Sequence, residues 1–161
     1  MYQDYFESPI GIIEIRANEK SIIALDFCET PSSSTPSPIL DSAKIQLNEY
    51  FEGTRQLFDL NIKLNGTNFQ KSVWDKLLNI PYGQTCSYHD IARRINNPKA
   101  VRAVGAANGK NPIALLVPCH RVIGSNGTLT GYAGGLERKA WLLAHEATYG
   151  YQNPNPQLLG F

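Results

Sequence analysis

The sequence has only three cysteines and no long apolar run. Cys28, Cys86 and Cys119 are odd in number, far apart and free of any CxxC pair, which argues against a disulfide framework and against a zinc site. No apolar stretch is long enough to span a bilayer, and the residues after Met1 form neither a basic nor an apolar leader. These absences predict reduced thiols and no membrane association. We therefore expect a cytoplasmic protein, or a nuclear one if the source is eukaryotic.

A strong net charge is also lacking, since the whole chain carries +1 at pH 7. The two halves nevertheless differ: residues 1–65 contain 5 Lys/Arg and 10 Asp/Glu, whereas residues 66–161 contain 10 and 4. Their formal charges are −5 and +6. A basic half favours a polyanionic partner at one part of the molecule. An uneven but merely solvated surface is the alternative.

Residues 1–65 predict a small α+β domain. Short β-branched and aromatic runs at 10–15 and 22–27 indicate antiparallel strands, and the strict alternation at 58–64 indicates a third, half-buried strand. Between them, the apolar spacing from Leu40 to Phe51 predicts a helix that stops at Gly53. This domain contains no recognisable chemical constellation.

Residues 66–161 predict a second, mostly helical domain. Apolar spacing at 69–78 indicates an amphipathic helix, and Ser87 with Asp90 has the spacing of a capping box before a short helix that starts near Tyr88. Asn97-Pro98 then predicts an N-cap and a proline at the first position of another helix, which runs to about Ala107. Two short helices in a basic region resemble a helix-turn-helix.

The second helix of this pair has an unusual composition. Its side chains are mainly alanine and glycine, with Lys99 and Arg102 as the long exceptions, so it is poorly suited to reading base edges in the major groove. Small residues allow the close approach that the narrower minor groove requires. The alternative is that these alanines are helix formers buried in a core.

The segment Pro118-Cys119-His120-Arg121 contains the main candidate for chemistry. The apolar residues 113–117 predict a buried strand that ends at Pro118 and leaves Cys119 at the rim of the core. A reactive thiol needs a base or a cation to lower its pKa from about 8.5, and His120 and Arg121 follow directly. Neighbouring side chains of a strand point to opposite faces, so His120 requires a turned backbone or a relaying water. A structural Cys-His pair is the alternative.

Glu146 is a candidate for orienting His120. It lies near the C-terminal end of a helix that the apolar spacing of 136–147 predicts, where the helix dipole disfavours a negative charge. Its i−4 and i+4 neighbours, Leu142 and Gly150, offer no cation, so we expect a partner elsewhere in the chain. A solvated glutamate at a helix end is the alternative.

Taken together, these parts resemble the O6-alkylguanine-DNA alkyltransferases. The similarity rests on five motifs in the family's order: Arg102-Ala103-Val104-Gly105, Asn111-Pro112, Val117-Pro118-Cys119-His120-Arg121-Val122-Ile123, Gly131-Tyr132-Ala133-Gly134-Gly135 and Trp141-Leu142-Leu143-Ala144-His145-Glu146. The first domain is similar more loosely, mainly through Ser8-Pro9-Ile10-Gly11. The resemblance implies an α+β protein with a ribonuclease-H-like N-terminal domain at 1–65 and a catalytic, DNA-binding domain with a helix-turn-helix at 66–161.

The resemblance also implies roles for individual residues. Cys119 would accept the alkyl group, His120 would take the thiol proton through a water, and Glu146 would orient the imidazole. Asn111 would brace the active-site turn, and Tyr88 would donate a hydrogen bond to the guanine ring. DNA and substrate contacts would come from Lys99, Arg102, Ala103, Val122, Tyr132, Ala133 and Gly134.

The implied reaction is DNA repair by direct damage reversal. A methyl or other alkyl group would pass irreversibly from O6 of a flipped-out guanine to Cys119, with O4 of thymine left open as a second position. The stable thioether would leave the protein spent, so the resemblance implies no cofactor. Some members of the family carry metal ligands in the first domain, but Cys28 has no cysteine or histidine partner nearby in the sequence, and we expect no metal. The implied partner is double-stranded DNA containing O6-alkylguanine, bound through its minor groove by a monomer.

Three other protein classes share part of this pattern. Non-enzymatic alkyltransferase-like proteins bind lesions, but they resemble this chain with tryptophan at the Cys119 position. A Cys-His hydrolase would use Cys119 and His120 but would not need a helix-turn-helix. A helix-turn-helix transcription factor would leave the segment from Pro118 to Arg121 unused. The cysteine in its DNA-binding context favours an alkyltransferase.

Overall fold

The computed structural model describes residues 1–150, which form two compact units. The first unit contains Met1–Asn65 and Pro112–Ala114; the second contains Gly66–Asn111 and the described residues from Leu115 onward. The elements are β1 (Tyr2–Ser8), β2 (Gly11–Ala17), β3 (Ile22–Cys28), α1 (Pro38–Glu52), α2 (Asn68–Leu77), β4 (Cys86–Ser87), α3 (Tyr88–Arg94), α4 (Val101–Gly109), β5 (Val122–Ile123) and α5 (Leu136–Gly150). The predicted α+β fold is confirmed. Within the described residues, every helix is too short or too polar to cross a membrane.

An antiparallel sheet in the order β1-β2-β3 forms the base of the first unit. Ile13 and Ile15 of β2 share one face and are fully buried, as alternation in a half-buried strand requires. The sequence pattern predicts β2 and β3 but misses β1, because that strand is largely polar and its buried residue is Asp4. Strand β1 lies at the edge of the sheet, where the backbone of Gln3 exchanges hydrogen bonds of 3.2 and 2.8 Å with that of Thr35.

The helix of the first unit has the predicted position. Leu40 and Leu47 of α1 are fully buried, and the helix packs on β1 and β2. Gly53 ends it in the left-handed conformation, with φ of 87°, and donates its backbone N–H to carbonyls of the last turn. The glycine stop signal is therefore confirmed.

The predicted strand at 58–64 is wrong. This segment forms only an isolated parallel bridge, in which Ile22 donates to the carbonyl of Asn61 at 2.8 Å and accepts from Lys63 at 2.9 Å. Its side chains do alternate between half-buried apolar and exposed polar residues. Alternation thus reports the burial of an extended chain correctly, whereas a strand also requires a continuous ladder.

Capping boxes begin the first two helices of the second unit. Ser87 accepts from the backbone N–H of Asp90 at 3.0 Å, and the Asp90 carboxylate accepts from the Ser87 N–H at 2.9 Å, as predicted for α3. Thr67 caps α2 in the same way. Helices α2 and α4 pack together, and the indole of Trp74 donates to the carbonyl of Ala107 at 2.8 Å. The C-terminal part of α4 is therefore hydrogen-bonded to the core of this unit.

The predicted start of α4 at Pro98 is wrong. Asn97 and Pro98 belong to a turn that closes with a hydrogen bond of 3.0 Å from the Ala100 N–H to the Asn97 carbonyl, and the helix begins at Val101. Proline at the second position of a β-turn has the same fixed φ as proline at the start of a helix, so the sequence signal fits both. The predicted pair of short helices, α3 and α4, is nevertheless present.

The predicted strand at 113–117 is also wrong. These apolar residues are buried, but Ile113 forms only an isolated bridge with Leu25, and Leu115 turns the chain with φ of 69°. An apolar run signals burial without fixing the backbone conformation. The chain therefore reaches Cys119 through a buried turn rather than along a strand.

Candidate active site

Cys119 lies at the start of a short 3₁₀ turn that also contains His120 and Arg121. The turned backbone that would let His120 act on Cys119 is therefore present. Cys119 is 6% exposed, and its backbone N–H donates to the carbonyl of Val117 at 2.8 Å. The thiol therefore belongs to a buried and tightly turned segment.

His120, Arg121 and Glu146 form a buried charge network. Nε2 of His120 lies 2.6 Å from Oε2 of Glu146, whereas Nε of Arg121 donates to Oε1 at 2.7 Å. A second guanidinium nitrogen of Arg121 donates to Oε2 at 3.1 Å, and a third to the carbonyl of Ile80 at 2.7 Å. Glu146 is fully buried, which rules out a solvated glutamate at a helix end.

The network fixes the charges of its members at neutral pH. Burial alone raises the pKa of the Glu146 carboxyl, but the Arg121 guanidinium charge and the hydrogen bonds from His120 and Arg121 outweigh burial and hold that pKa well below its ordinary value. Burial lowers the pKa of His120, although Glu146 opposes this effect. Glu146 is thus a carboxylate paired with a permanent guanidinium cation, and His120 is a neutral imidazole that can accept a proton.

Two asparagines at the end of α4 hold the backbone of the nucleophile turn. The side-chain amide of Asn111, which the resemblance predicts to brace this turn, donates to the carbonyl of Val117 at 2.8 Å. The amide of Asn108 donates to the carbonyl of Cys119 at 3.3 Å and is buried. The helix that carries Arg102 is therefore bonded directly to the segment that carries the thiol.

Tyr88 belongs to a second network, centred on the buried Lys139. The ammonium of Lys139 donates to the carbonyls of Val122 and Thr130 at 2.5 and 2.6 Å and to the Tyr88 hydroxyl at 3.4 Å. The Tyr88 hydroxyl donates to the Thr130 carbonyl at 2.9 Å. Burial lowers the pKa of Lys139 to about 8, and the nearby Cys119 partly offsets this. Lys139 therefore places a buried positive charge close to the thiol.

The predicted substrate-contact residues follow or flank the nucleophile turn. Val122 donates its N–H to the Cys119 carbonyl and accepts from Lys139, so its backbone is engaged within the protein. Tyr132 is buried, Ala133 is exposed, and Gly134 is half-buried with its carbonyl bonded to Arg138 at 3.0 Å. They precede α5, which carries Lys139 and Glu146.

The residues of α4 and of the preceding turn that are predicted to contact DNA are exposed to solvent. Arg102, Ala103 and Ala106 are exposed on α4, and Lys99 is exposed in the turn before it. Because Ala103 and Ala106 face solvent, these alanines are not core helix formers. They leave a helix surface that another molecule can approach closely.

The other two thiols lack this environment. Burial raises the pKa of Cys86 to about 12, and burial together with nearby carboxylates also raises that of Cys28. Both residues therefore stay protonated at neutral pH. Within residues 1–150, no group of three or more His, Cys, Asp or Glu side chains is placed to hold a metal ion.

Family models match both units of the chain. The model described as "6-O-methylguanine DNA methyltransferase, DNA binding domain" matches residues 68–148, and the corresponding "ribonuclease-like domain" matches residues 1–64. The chain belongs to the 6-O-methylguanine DNA methyltransferase family. The resemblance predicted from the sequence motifs is thereby confirmed.

Individual relatives of this methyltransferase family align over nearly the whole chain. A methylated-DNA--protein-cysteine methyltransferase of Methanosarcina barkeri is 49% identical over 153 residues, covering 91% of this chain and 97% of the relative. The crystal structure of Mycobacterium tuberculosis O6-methylguanine methyltransferase gives a TM-score of 0.82 at 46% identity, covering 91% of this chain and 94% of that one. Mycobacterium tuberculosis OGT in complex with DNA gives 0.83 at 46% identity, covering 98% and 99%.

Sequence reasoning missed three contributors to the site of this methyltransferase family member. Lys139 lies in α5, where Leu142 is buried but Leu136 is 49% exposed, so the apolar spacing of the helix does not indicate that Lys139 is buried. Asn108 follows the predicted end of the small-residue helix at about Ala107, and the sequence gives no signal for it. The sequence indicates Arg121 only as a cation next to the thiol, whereas in the structure it supplies the positive charge that pairs with Glu146.

Proposed function

We propose that this chain repairs alkylated DNA by transferring a methyl or other alkyl group from O6 of guanine to Cys119. The observation that carries the proposal is the buried turn in which Cys119 is followed by a neutral imidazole bonded to Glu146 at 2.6 Å. Membership of the 6-O-methylguanine DNA methyltransferase family supports the same conclusion.

His120 prepares the nucleophile. The thiol proton passes through a water to Nδ1 of His120, because Nε2 is already engaged with Glu146. The Glu146 carboxylate fixes the orientation of the ring and stabilises the imidazolium that forms. Lys139 adds a positive charge near the sulfur, which favours the thiolate further.

The transfer is a displacement at the alkyl carbon. The Cys119 sulfur forms a bond to that carbon while the bond from the carbon to O6 breaks, and the electron pair stays on guanine. Tyr88 donates a hydrogen bond to the ring nitrogen of guanine, where negative charge develops. The product thioether is chemically stable, so each protein molecule acts once. The reaction requires no cofactor.

The proposed partner is double-stranded DNA with O6-alkylguanine. The exposed small-residue surface of α4 enters the minor groove, Ala103 contacts the groove, and Lys99 contributes charge. Arg102 occupies the gap that the flipped base leaves, which offsets part of the few kcal/mol of unstacking. A solved complex of Mycobacterium tuberculosis OGT with DNA supports DNA binding in general.

The extruded base is held by residues next to the nucleophile turn. Tyr132 forms a wall of the pocket, whereas the backbones of Val122, Ala133 and Gly134 meet the edges of the base. Val122 and Thr130 already bond to Lys139, so base binding requires local exchange of hydrogen bonds. We place this reaction in a monomer within a reducing compartment, cytoplasmic or nuclear, since the thiol must stay free to react.

Mass spectrometry tests the proposal directly. Incubation with a duplex containing O6-methylguanine should add one methylene mass to the Cys119 peptide, in an amount equal to the guanine restored. Cys119→Ala should bind the same duplex and transfer nothing. Folded protein that leaves Cys119 unmodified beside an unrepaired base would refute the proposal, and binding without transfer would favour a lesion-binding protein.

A further inference from the structure

Two buried polar atoms next to the nucleophile lack a hydrogen-bond partner among residues 1–150. They are Oδ1 of Asn108 and Nδ1 of His120. Leaving such an atom unpaired is destabilising, and native proteins usually satisfy it with protein groups or ordered water. Both residues adjoin Cys119: His120 follows it in the chain, and Asn108 bonds to its carbonyl.

The Asn108 amide has only one workable orientation. Its nitrogen lies 3.3 Å from the Cys119 carbonyl oxygen, and since a carbonyl can only accept, this amide atom must be the donor. The other end, Oδ1, is then an acceptor beside the Cys119 peptide. At 2% exposure Asn108 is shielded from bulk solvent, so Oδ1 requires a donor inside the site.

The tautomer of His120 is fixed in the same way. Nε2 faces the Glu146 carboxylate at 2.6 Å and carries the proton of that hydrogen bond. A neutral imidazole has one donor and one acceptor, so Nδ1 is an acceptor. The two unpaired atoms are therefore both acceptors, and a single water has the two hydrogens that would serve both.

We propose that Asn108 is a positioning residue for Cys119, in which Oδ1 orients the water that carries the thiol proton to Nδ1 of His120. The proposal rests on the proton relay of the proposed function. With one hydrogen donated to each acceptor, the water oxygen presents its lone pairs to the thiol. The S–H bond breaks as the proton moves to this oxygen, and the water's own proton passes to Nδ1. Thiolate, imidazolium and an intact water result.

The other groups around the thiol determine what must be held constant. Tyr88 and Lys139 interact electrostatically with Cys119, and the charged groups that act on His120 are Arg121, Lys139 and Glu146. Substitution of Asn108 changes the charge of none of them. The Cys119 carbonyl also retains the N–H of Val122 when the amide is removed, so the 3₁₀ turn keeps a hydrogen bond.

The test is the pH dependence of thiol reactivity in the full-length protein. The rate of Cys119 alkylation by iodoacetamide is followed by peptide mass spectrometry from about pH 5 to about pH 10 in wild type, Asn108→Leu, Asn108→Ala and Asn79→Ala. Asn79 is an exposed asparagine of the same unit and serves as the matched control. We expect both Asn108 variants to react about tenfold more slowly at pH 7, with profiles displaced upward by about one pH unit, and Asn79→Ala to match wild type.

A wild-type profile in either folded Asn108 variant would overturn the proposal. The thermal midpoint and circular dichroism show whether each variant is folded. If Asn108→Leu does not fold, the alkylation profile of Asn108→Ala tests the proposal. Iodoacetamide needs no DNA, so the result does not depend on alkyl transfer from guanine. If wild type fails to transfer methyl groups but the Asn108 variants show the expected slower alkylation, only the proposed function is refuted. If wild type transfers methyl groups but the Asn108 variants react like wild type with iodoacetamide, only the role of Asn108 is refuted.

Discussion

Two polar networks of the second unit meet at the Cys119 turn, and their charges are balanced differently. In the first, the Glu146 carboxylate bonds to neutral His120 and to the Arg121 cation, so every charge has a partner. In the second, the partners of the Lys139 ammonium among residues 1–150 are all uncharged oxygens, the carbonyls of Val122 and Thr130 and the Tyr88 hydroxyl. One network is thus internally neutral, and the other carries an unbalanced positive charge.

This difference indicates that the two networks act on the Cys119 thiol in different ways, one as proton acceptor and the other as a positive charge. The neutral network can accept a proton at His120 and, with Glu146 and Arg121, tolerate the resulting imidazolium. The Lys139 network gains its missing counter-charge only when Cys119 ionises, which is why Cys119 raises the pKa of Lys139 against the effect of burial. A thiolate is therefore favoured from both sides. Each network can be broken separately.

The largest expected effect comes from Glu146→Gln. The change leaves Arg121 as a buried cation without a counter-charge, which should lower the free energy of unfolding by about 3–5 kcal/mol. Loss of the oriented base should also slow methyl transfer by at least about a hundredfold. Urea denaturation and single-turnover transfer measure the two effects. Glu137→Gln, in the exposed first turn of α5, is the control. A stability loss below about 1 kcal/mol would contradict the charge assignment.

The same network predicts acid sensitivity. Because the pKa of folded Glu146 lies below its unfolded value of about 4.3, its stabilisation is complete above that value and is lost as pH falls toward the folded pKa. Between about pH 5 and about pH 3, wild type should therefore lose more unfolding free energy than Glu146→Gln. Parallel curves for the two proteins would mean that Glu146 is not held ionised.

Lys139→Met tests the second network through alkaline pH. The pKa of Lys139 is about 8 in the folded protein, against about 10.4 in an unfolded chain. Between these values the unfolded chain binds the extra proton, so wild type should gain on the order of 2 kcal/mol relative to Lys139→Met from about pH 7 to about pH 10. Denaturation at both pH values measures the difference. The exposed Lys71→Met should show no such rise, and a flat difference for Lys139 would refute the unbalanced charge.

Tyr88→Phe separates the chemistry of the second network from its packing. Removal of one hydrogen bond to the developing charge on guanine should slow transfer about tenfold, with little change in duplex affinity. Stability should change by less than about 1 kcal/mol, because the Thr130 carbonyl keeps its bond to Lys139. Tyr5→Phe in the first unit is the matched control. An unchanged transfer rate would remove Tyr88 from the reaction.

The contrast between the networks also explains what the sequence could predict. Cys119, His120 and Glu146 are predicted from the motifs that contain them, and the absence of a cation in its own helix predicts that Glu146 has a partner elsewhere in the chain. The cation itself, Arg121, could not be assigned, because its direction depends on the 3₁₀ turn. Lys139 could not be predicted, because the spacing of apolar residues in its helix does not distinguish a buried lysine from a solvated one.

The fold was predicted best where the signal is local. The Ser87 and Asp90 capping box and the Gly53 stop depend on adjacent residues and were confirmed. The strands predicted at 58–64 and 113–117 were wrong because a strand requires a partner that lies far away in the chain. At both places the apolar pattern reported burial correctly and backbone pairing incorrectly.

The smallest predicted effect concerns the cap that starts α3 directly before Tyr88. Ser87→Ala removes the acceptor for the Asp90 N–H and should lower the free energy of unfolding by about 1 kcal/mol. Ser72→Ala is the control, since the Ser72 hydroxyl donates to a carbonyl within α2 and caps nothing. If the cap supplies stability alone, transfer should stay within about twofold of wild type when both proteins are fully folded. A tenfold loss like that of Tyr88→Phe, without a matching loss of stability, would mean that the cap also fixes the position of the Tyr88 hydroxyl.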